Sequence, residues 1–519
     1  MILEDELLSP YPADTPVPAR LVSDAVGRSG RVLVVLDDDP TGTQSVSDLP
    51  VLTSWELDDF HWAFENRIDG KRAAAVYVLT NTRSLDPAEA AERNREVVEN
   101  SLAAARDAGV EVAFTSRSDS TLRGHFPLEP DTIADTAGSL DGRPTDGVVI
   151  VPAFPDAGRV TIGGTHYARA AQGALTPVAE TEFARDATFG YTKSVLADYV
   201  EEKSGGRYRA VDAIVLDLML LRTGTPAESA SAIADALDAA RDRAPVVADA
   251  VTENDLRRLA LGLEEAERRG KRLVYRVGPP FVRGRLGQEV REPLTAAEAF
   301  DAEAFRAGAF DAGALGEDAP QRGGLVVVGS HVGLTTRQLE SLLRRHNALR
   351  VIELDVERLL SDDAAESAGH VAETAERVTA ALAQGDVVVH TSRTLVTAGD
   401  PAASLAIARK VSGALVDVVR RTLAAARPRF VIAKGGITSS DIAAHGLQIR
   451  RAIVRGPMLP GIVSLWEPME GPAKGIPYVV FAGNVGGDES LADVVEKLSA
   501  TMNNSATMNP AHQKEMIHD

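Results

Sequence analysis

The chain has 519 residues, 44% of them hydrophobic and 25% charged, and a formal net charge of -20. That length exceeds one ordinary core and predicts two or three domains. The acidic balance disfavours nucleic acid or an anionic membrane as partner, while leaving room for a local basic cleft that holds phosphate. No cysteine is present, which removes disulfides, thiolate catalysis and cysteine metal sites.

Residues 1–30 read as an extended lead-in with one short helix. Their first stretch, MILEDELLSPYPADTPVPAR, lacks the basic start and apolar core of a secretion signal. No run approaches the ~20 apolar residues of a membrane span, so a cytoplasmic protein is the expectation. Val32–Leu36 then reads as a short buried strand, and further apolar, β-rich runs lie at Ala75–Leu79, Val110–Phe114, Val148–Val151, Ile214–Leu216 and Arg272–Val277. Helix-period segments separate several of them. Asp86 to Ala108 carries Asp86 as N-cap and Pro87 at the first helical position, Thr225 to Arg243 repeats the device with Pro226, and Asn254 to Arg269 is a third. Strands alternating with helices predict an α/β fold with a mostly parallel sheet covered on both faces.

Residues 311–324, DAGALGEDAPQRGG, lose all periodicity and gather Gly, Pro and charge, which marks a domain boundary. A second α/β pattern follows. Its predicted strands are Leu325–Val328, Val351–Leu354, Val387–His390, Phe430–Ala433 and Tyr478–Phe481, and its predicted helices are Thr335–Arg345, Ala364–Ala383, Pro401–Ala425 and Ser490–Ser499. The polar stretch Thr501 to Asp519 is expected to be a disordered tail.

Three groups of residues carry chemistry. The first is Asp37-Asp38-Asp39-Pro40-Thr41-Gly42-Thr43, directly after the first buried strand. Carboxylates are costly there, and in open α/β sheets that edge is where ligands bind. They suit a cation, a sugar hydroxyl or a phosphoryl group; a solvated turn is the plain alternative. The second is FTSRSDSTLRGHFP, residues 114–127. With the strand expected to end at Phe114, Asp119 offers an acceptor, Ser120 and Thr121 offer hydroxyls, and Arg123 beside Gly124 offers a fork for a carboxylate. The third, VPAFPDAGRVTIGGTHY at 151–167, places Arg159 and Gly163-Gly164 in a loop fixed by Pro and Gly. In the second half, glycines follow three strands: Gly329-Ser330, Gly435-Gly436-Ile437-Thr438-Ser439-Ser440, and Gly483-Asn484 onward. Glycine lets backbone N–H groups approach phosphate oxygens, and three such loops in one domain favour a nucleotide site. Ser330, Gly435, Gly436, Thr438 and Gly483 are its expected lining. Lys434 could add charge there or be a surface residue. No G-x-x-x-x-G-K-[ST] loop, convincing G-x-G-x-x-G loop or H-E-x-x-H pattern occurs, and no metal ligands can be assigned.

With these motifs the chain resembles the four-carbon acid sugar kinase family. Asp38-Asp39-Pro40-Thr41-Gly42-Thr43 is similar to the family's A-D-D-L-T-G-A, Asp119 to His125 to its D-S-T-L-R-G-N, and Pro152 through Gly164 to its P-A-F-P-x-x-G-R-x-T-x-x-G. The later glycine loops look like its G-S, G-G-x-T-S and G-N-x-G elements, and the likeness spans about residues 31–490. Pro40 stands where Leu is usual, His125 where Asn is usual, and the common Lys pair before Asp119 is missing. The resemblance implies two α/β domains with mostly parallel sheets and an active-site cleft between them: a lead-in at 1–30, a sugar-acid-binding domain at 31–310, a linker at 311–324, a nucleotide-binding domain at 325–500 and a tail at 501–519. It implies transfer of the ATP γ-phosphoryl group, with Mg²⁺, to a terminal hydroxyl of a tetronate or 3-oxo-tetronate.

On that footing the expected catalytic residues are Asp39, Asp38 and Asp119. The expected substrate residues are Thr41, Gly42, Ser120, Thr121, Arg123, Gly124 and Arg159. The expected ATP residues are Ser330, Gly435, Gly436, Ile437, Thr438, Ser439, Gly483 and Asn484. The expected partners are a small sugar acid and ATP, without nucleic acid or membrane; a homodimer is allowed for. Two other readings stay open at this point: a haloacid-dehalogenase-type phosphatase with Asp37 and Asp39 as its D-x-D pair, and a non-catalytic sugar-acid-binding protein.

Overall fold

A computed structural model describes residues 2–68, 70–170, 173–300, 323–361, 363–393 and 401–500, with only the backbone for 401–406. The apolar run after Arg31 becomes β1 (Val32–Asp37), buried along its whole length, so that Asp37 sits on the strand itself. The first half adds β2 (Leu49–Leu52), β3 (Ala75–Leu79), β4 (Val112–Arg117), β5 (Gly147–Val151), β6 (Ile214–Leu216), β7 (Ala244–Ala248) and β8 (Leu273–Val277). The second half supplies β9 (Leu325–Val328), β10 (Arg350–Leu354), β11 (Val387–Thr391), β12 (Val431–Lys434), β13 (Arg451–Leu459), β14 (Ile462–Pro468) and β15 (Tyr478–Phe481).

All fifteen pair into one sheet, in the order β6-β7-β5-β8-β4-β1-β3-β2-β13-β14-β15-β12-β9-β11-β10. The eight strands of the first half are parallel to one another. The join is antiparallel: β2 pairs with β13, which turns back as β14, which pairs with β15. From β15 to β10 the sheet is parallel again. One buried apolar cluster runs through both halves, from Leu33 and Val149 to Val327 and Val431.

The strand order matters for function. After β1 the chain builds β2 and β3 on one side of it and then crosses to lay β4 on the other. In the second half the chain moves from β9 outward to β10 and β11, then reverses to place β12 on the opposite flank of β9. Each reversal opens a crevice at the carboxyl ends of two adjacent strands, and open α/β sheets bind ligands there. The first crevice lies between β1 and β4, the second between β9 and β12.

Local signals account for much of the rest. Asp86 caps the helix Pro87–Ala108 by accepting from Ala88 and Glu89 amides at 2.9 and 3.0 Å. Three expectations need correction. The strand expected to end at Phe114 continues to Arg117, because Arg117 is buried against Asp37 and needs no solvent. The helix expected over Thr225 to Arg243 stops at Leu237, and the next apolar residues form β7. The lead-in holds two helices, Glu4–Leu8 and Ala19–Ser29. A small separate sheet joins Ile2–Leu3 to Arg159–Ile162, Thr165–Arg169 and Ala174–Pro177. Most of the expected linker, 311–322, and the expected tail, 501–519, lie outside the described residues.

Candidate active site

At the crevice between β1 and β4, three aspartates take three different roles. Asp37 is sealed in the sheet, 1% exposed, against the Arg117 guanidinium. Burial pushes its carboxyl up to about 7, although Arg117 opposes that. Asp38 is equally buried and accepts from Arg83 Nη2 at 2.6 Å and from the Ser118 hydroxyl at 3.1 Å. Asp39 keeps an open side, with 24% of its side chain exposed. Its Oδ1 accepts from the Thr41 amide at 3.0 Å, and its Oδ2 from Arg83 Nη1 at 3.2 Å. Burial alone would raise the Asp39 carboxyl, but Arg83, Arg117 and Thr41 hold it below the usual carboxylate range. Gly42 is needed for this packing, since a Cβ there would collide with the Asp37 carboxylate and Arg117.

Arg117, read from the sequence as a residue of the polar loop after Phe114, ends β4 instead. Arg83 lies outside the motifs read from the sequence; it follows β3 in an Asn81-Thr82-Arg83-Ser84 turn whose polar run is the available signal. They answer the cost of three adjacent carboxylates, because a buried charge needs a partner.

Asp119 lies in the next turn. Burial pushes its carboxyl up, yet Arg83 and Arg123 and the Thr121 hydroxyl outweigh it and hold it at about 2. Arg123 donates through Nε to Asp119 at 2.6 Å and packs over the Phe183 ring, 5.4 Å from its centroid. Its fork is therefore partly engaged. Arg159 covers the same ring at 5.6 Å. Burial, reinforced by the like charge of Arg123, pulls the Arg159 pKa below the ordinary guanidinium value despite Asp119. Ser120 and Thr121 are buried. The Ser120 carbonyl accepts from His166 Nε2 at 2.8 Å, which leaves His166 Nδ1 to accept from the Thr161 hydroxyl at 2.9 Å. Burial drops the His166 imidazole to about 4, so it is neutral. Gly124, at φ +123°, passes so close to Asp38, Ser118 and Arg276 that a Cβ would fall 2.6–2.9 Å from their polar atoms. The Gly163-Gly164 turn is held from below by Asp249, whose carboxylate accepts both amides at 2.7 and 2.8 Å.

At the crevice between β9 and β12 the glycine loops converge on Ser330. A Cβ on Gly435 would lie 3.2 Å from the Ser330 Cβ, and one on Gly483 would lie 2.6 Å from its hydroxyl. Gly435 has φ +132° and cannot carry a side chain without strain. Thr438 faces Gly329 and Gly435, while Ile437 and Asn484 are exposed. Ser439 turns inward instead: its hydroxyl donates to the Ala433 and Gly435 carbonyls at 2.7 and 2.6 Å. It serves the loop's shape rather than its rim. Lys434 is fully buried, so the expectation of a surface lysine fails.

The two crevices face each other. Asn81 Nδ2, beside Arg83, donates to the Ser440 hydroxyl at 3.0 Å. Among the described residues, a Cβ built on Gly436 would meet within 4 Å only Asp39 Oδ2, at 3.8 Å. The open carboxylate of the first half thus looks at the glycine loop of the second.

This geometry defines a class: a two-part α/β protein whose first half presents polar side chains for a small ligand and whose second half presents a glycine-lined anion cradle. The profile of a sugar-binding N-terminal domain matches residues 33–285, and that of a nucleotide-binding C-terminal domain matches residues 325–491. The chain belongs to the four-carbon acid sugar kinase family.

A curated relative, the D-erythronate kinase of Heliobacterium modesticaldum (strain ATCC 51547 / Ice1), is 29% identical over 233 residues. That match takes in 44% of this chain and 47% of that protein, so the chain spans about half the length of the curated relative it matches. The fold is shared with a Salmonella typhimurium LT2 structure at 18% identity and TM-score 0.61, covering 89% of this chain and 98% of that one. It is also shared with a Haemophilus influenzae structure at 17% identity and TM-score 0.58, covering 90% and 100%. Among the described residues no helix is long and apolar enough to cross a membrane.

Proposed function

We propose that the chain is an ATP-dependent kinase acting on a terminal hydroxyl of a four-carbon sugar acid, a tetronate or 3-oxo-tetronate. The observation that carries this reading is the approach of Asp39 Oδ2 to Gly436. It puts an ionised carboxylate beside the loop expected to cradle the phosphates. The D-erythronate kinase relative, matched over 47% of its length, supports the substrate class.

Phosphoryl transfer asks the protein for positioning and charge more than for covalent chemistry. The acceptor hydroxyl oxygen bonds the γ-phosphorus, the bond to the bridging oxygen breaks, ADP leaves, and the hydroxyl proton passes to Asp39. An acid held below the usual range is a weak base. Asp39 therefore orients the hydroxyl and takes its proton late, as the new bond forms. Arg159 is the cation best placed for the substrate carboxylate, because Arg123 is already tied to Asp119. Asp38 and Asp119 fix Arg83 and Arg123 around it.

Among the described residues no group of three or more His, Asp or Glu side chains is assembled to hold a metal. Mg²⁺ in phosphoryl-transfer sites is bound through one or two carboxylates plus substrate phosphates and water. The residues fit that pattern: Asp39 keeps a partly exposed carboxylate, and the ion would supply charge neutralisation to the phosphates. The phosphatase alternative is disfavoured, since its nucleophile would be Asp37, which is sealed against Arg117.

The test is an ADP-release screen of the purified protein with Mg·ATP against tetronates, 3-oxo-tetronates and longer aldonates. ADP release that depends on a four-carbon acid supports the reading. Release of free phosphate from sugar phosphates without ATP overturns it.

A further inference from the structure

The glycine loops supply backbone N–H groups and hydroxyls, but a triphosphate brings several negative charges, and charge-assisted bonds are the strong ones at such sites. Which cation meets those charges is answerable from the second half alone, and the answer rests on the kinase reading above. Lys434 is adjacent in sequence to Gly435, yet its Nζ points under the loop. It donates to the Ala482 carbonyl at 2.6 Å and sits 3.8 Å from the Phe481 ring centroid. Burial pulls it down to about 7, so it is a poor point charge. Arg337, on the helix that follows β9, is answered by Asp488 at 2.9 Å.

Arg393 is different. It follows β11 by two residues, at the carboxyl edge beside β9. Its Nη1 donates to the Ser330 carbonyl at 2.8 Å and its Nη2 to the Thr336 hydroxyl at 2.7 Å. Its Nε is buried and has no acceptor among the described residues. Burial lowers its pKa from the ordinary guanidinium value. Next to it His331 meets the Thr391 hydroxyl through Nε2 at 3.3 Å. Ser330 is the residue that both Gly435 and Gly483 crowd. A guanidinium with no carboxylate partner among the described residues is therefore bonded directly to the hub of the three glycine loops.

We infer that Arg393 is the phosphate-binding cation of the nucleotide site, meeting the polyphosphate chain of ATP where the glycine loops cradle it. This cost of an unanswered charge is what the ligand would relieve.

The test compares Mg·ATP, Mg·ADP, AMP and adenosine binding, by calorimetry, to the wild type, Arg393→Gln and Arg393→Lys. The expected result is a loss of about 10–100-fold in Mg·ATP affinity in Arg393→Gln, a graded smaller loss towards AMP, unchanged adenosine affinity, and partial recovery in Arg393→Lys. Unchanged Mg·ATP affinity in Arg393→Gln overturns the assignment. So does an equal fall for ATP and adenosine, which would make Arg393 a brace for Ser330 only. A wild type that binds no nucleotide at all defeats the kinase reading itself, and this outcome is distinct from the other two.

Discussion

Asp39 differs from Asp37 and Asp38 in having an open side, and residue-scale predictions start there. Asp39→Asn keeps the size and removes the proton acceptor. The turnover number should fall by ~10²–10⁴ with little change in the KM for ATP, read by steady-state kinetics; full activity would move the role to Asp119. Arg159→Gln removes the guanidinium that covers the Phe183 ring and donates to the Ala157 carbonyl. It should raise the KM for the sugar acid about 10–100-fold, the size of a charge-assisted bond, and leave ATP binding alone. An effect confined to ATP would contradict the division of roles between the halves. That Asp38, Asp39, Asp119 and Arg123 belong to one candidate site was legible in the sequence, and they gather at one crevice. Their pairing was not. Arg83 sits 44 residues from Asp39 in the chain, and only the sheet order brings β3 beside β1.

At the scale of elements, the hairpin carrying His166 is tied to the Ser120 turn by one imidazole. A histidine held at about 4 in the fold against an ordinary 6.5 stabilises the folded state above pH 6.5. That contribution is lost as pH falls towards 4, because the unfolded chain takes up the proton first. Between pH 7.5 and pH 5 it amounts to ~2 kcal/mol. Denaturant titrations should show His166→Gln losing correspondingly less stability than the wild type on acidification. Parallel losses in both proteins would remove His166 from the account. Elements bounded by strong punctuation were readable from sequence: β1, β3, β6, β9 and β15 are apolar runs between breakers. The hairpin of β13 and β14 was not anticipated. β13 contains Gly456-Pro457 and a bulge between Val454 and Gly456, and β14 ends in Pro468. Such residues argue against a central strand, and the pairing with β2 overrides them. β7 was hidden in the same way by Pro245.

For the whole molecule, the join between the halves is β2 on β13, reinforced by Asp59. This carboxylate is fully buried and accepts from Arg451 Nε at 2.7 Å and Arg450 Nη2 at 3.0 Å. Arg450 is half-exposed and Arg451 keeps Glu470 at 3.4 Å, so loss of Asp59 costs about 1–3 kcal/mol, the size of lost charge-assisted hydrogen bonds. Asp59→Ala should therefore destabilise the chain and split its thermal unfolding into two calorimetric transitions, one for each half. A single unshifted transition would show that the join does not depend on this pair. The join also holds the glycine loop of one half against Asp39 of the other, which is the arrangement the kinase reading rests on. Gly436 probes that arrangement cleanly. Among the described residues a Cβ there meets within 4 Å only Asp39 Oδ2, at 3.8 Å, so Gly436→Val should fold and yet fill the space between carboxylate and nucleotide. The direct measurement is phosphorus NMR of the products formed from Mg·ATP and a tetronate or 3-oxo-tetronate, with wild type and Gly436→Val side by side. The account predicts a phosphorylated sugar acid and ADP in equal amounts from the wild type, and neither from the folded variant. Turnover that survives Gly436→Val, or free phosphate appearing without ATP, would contradict it.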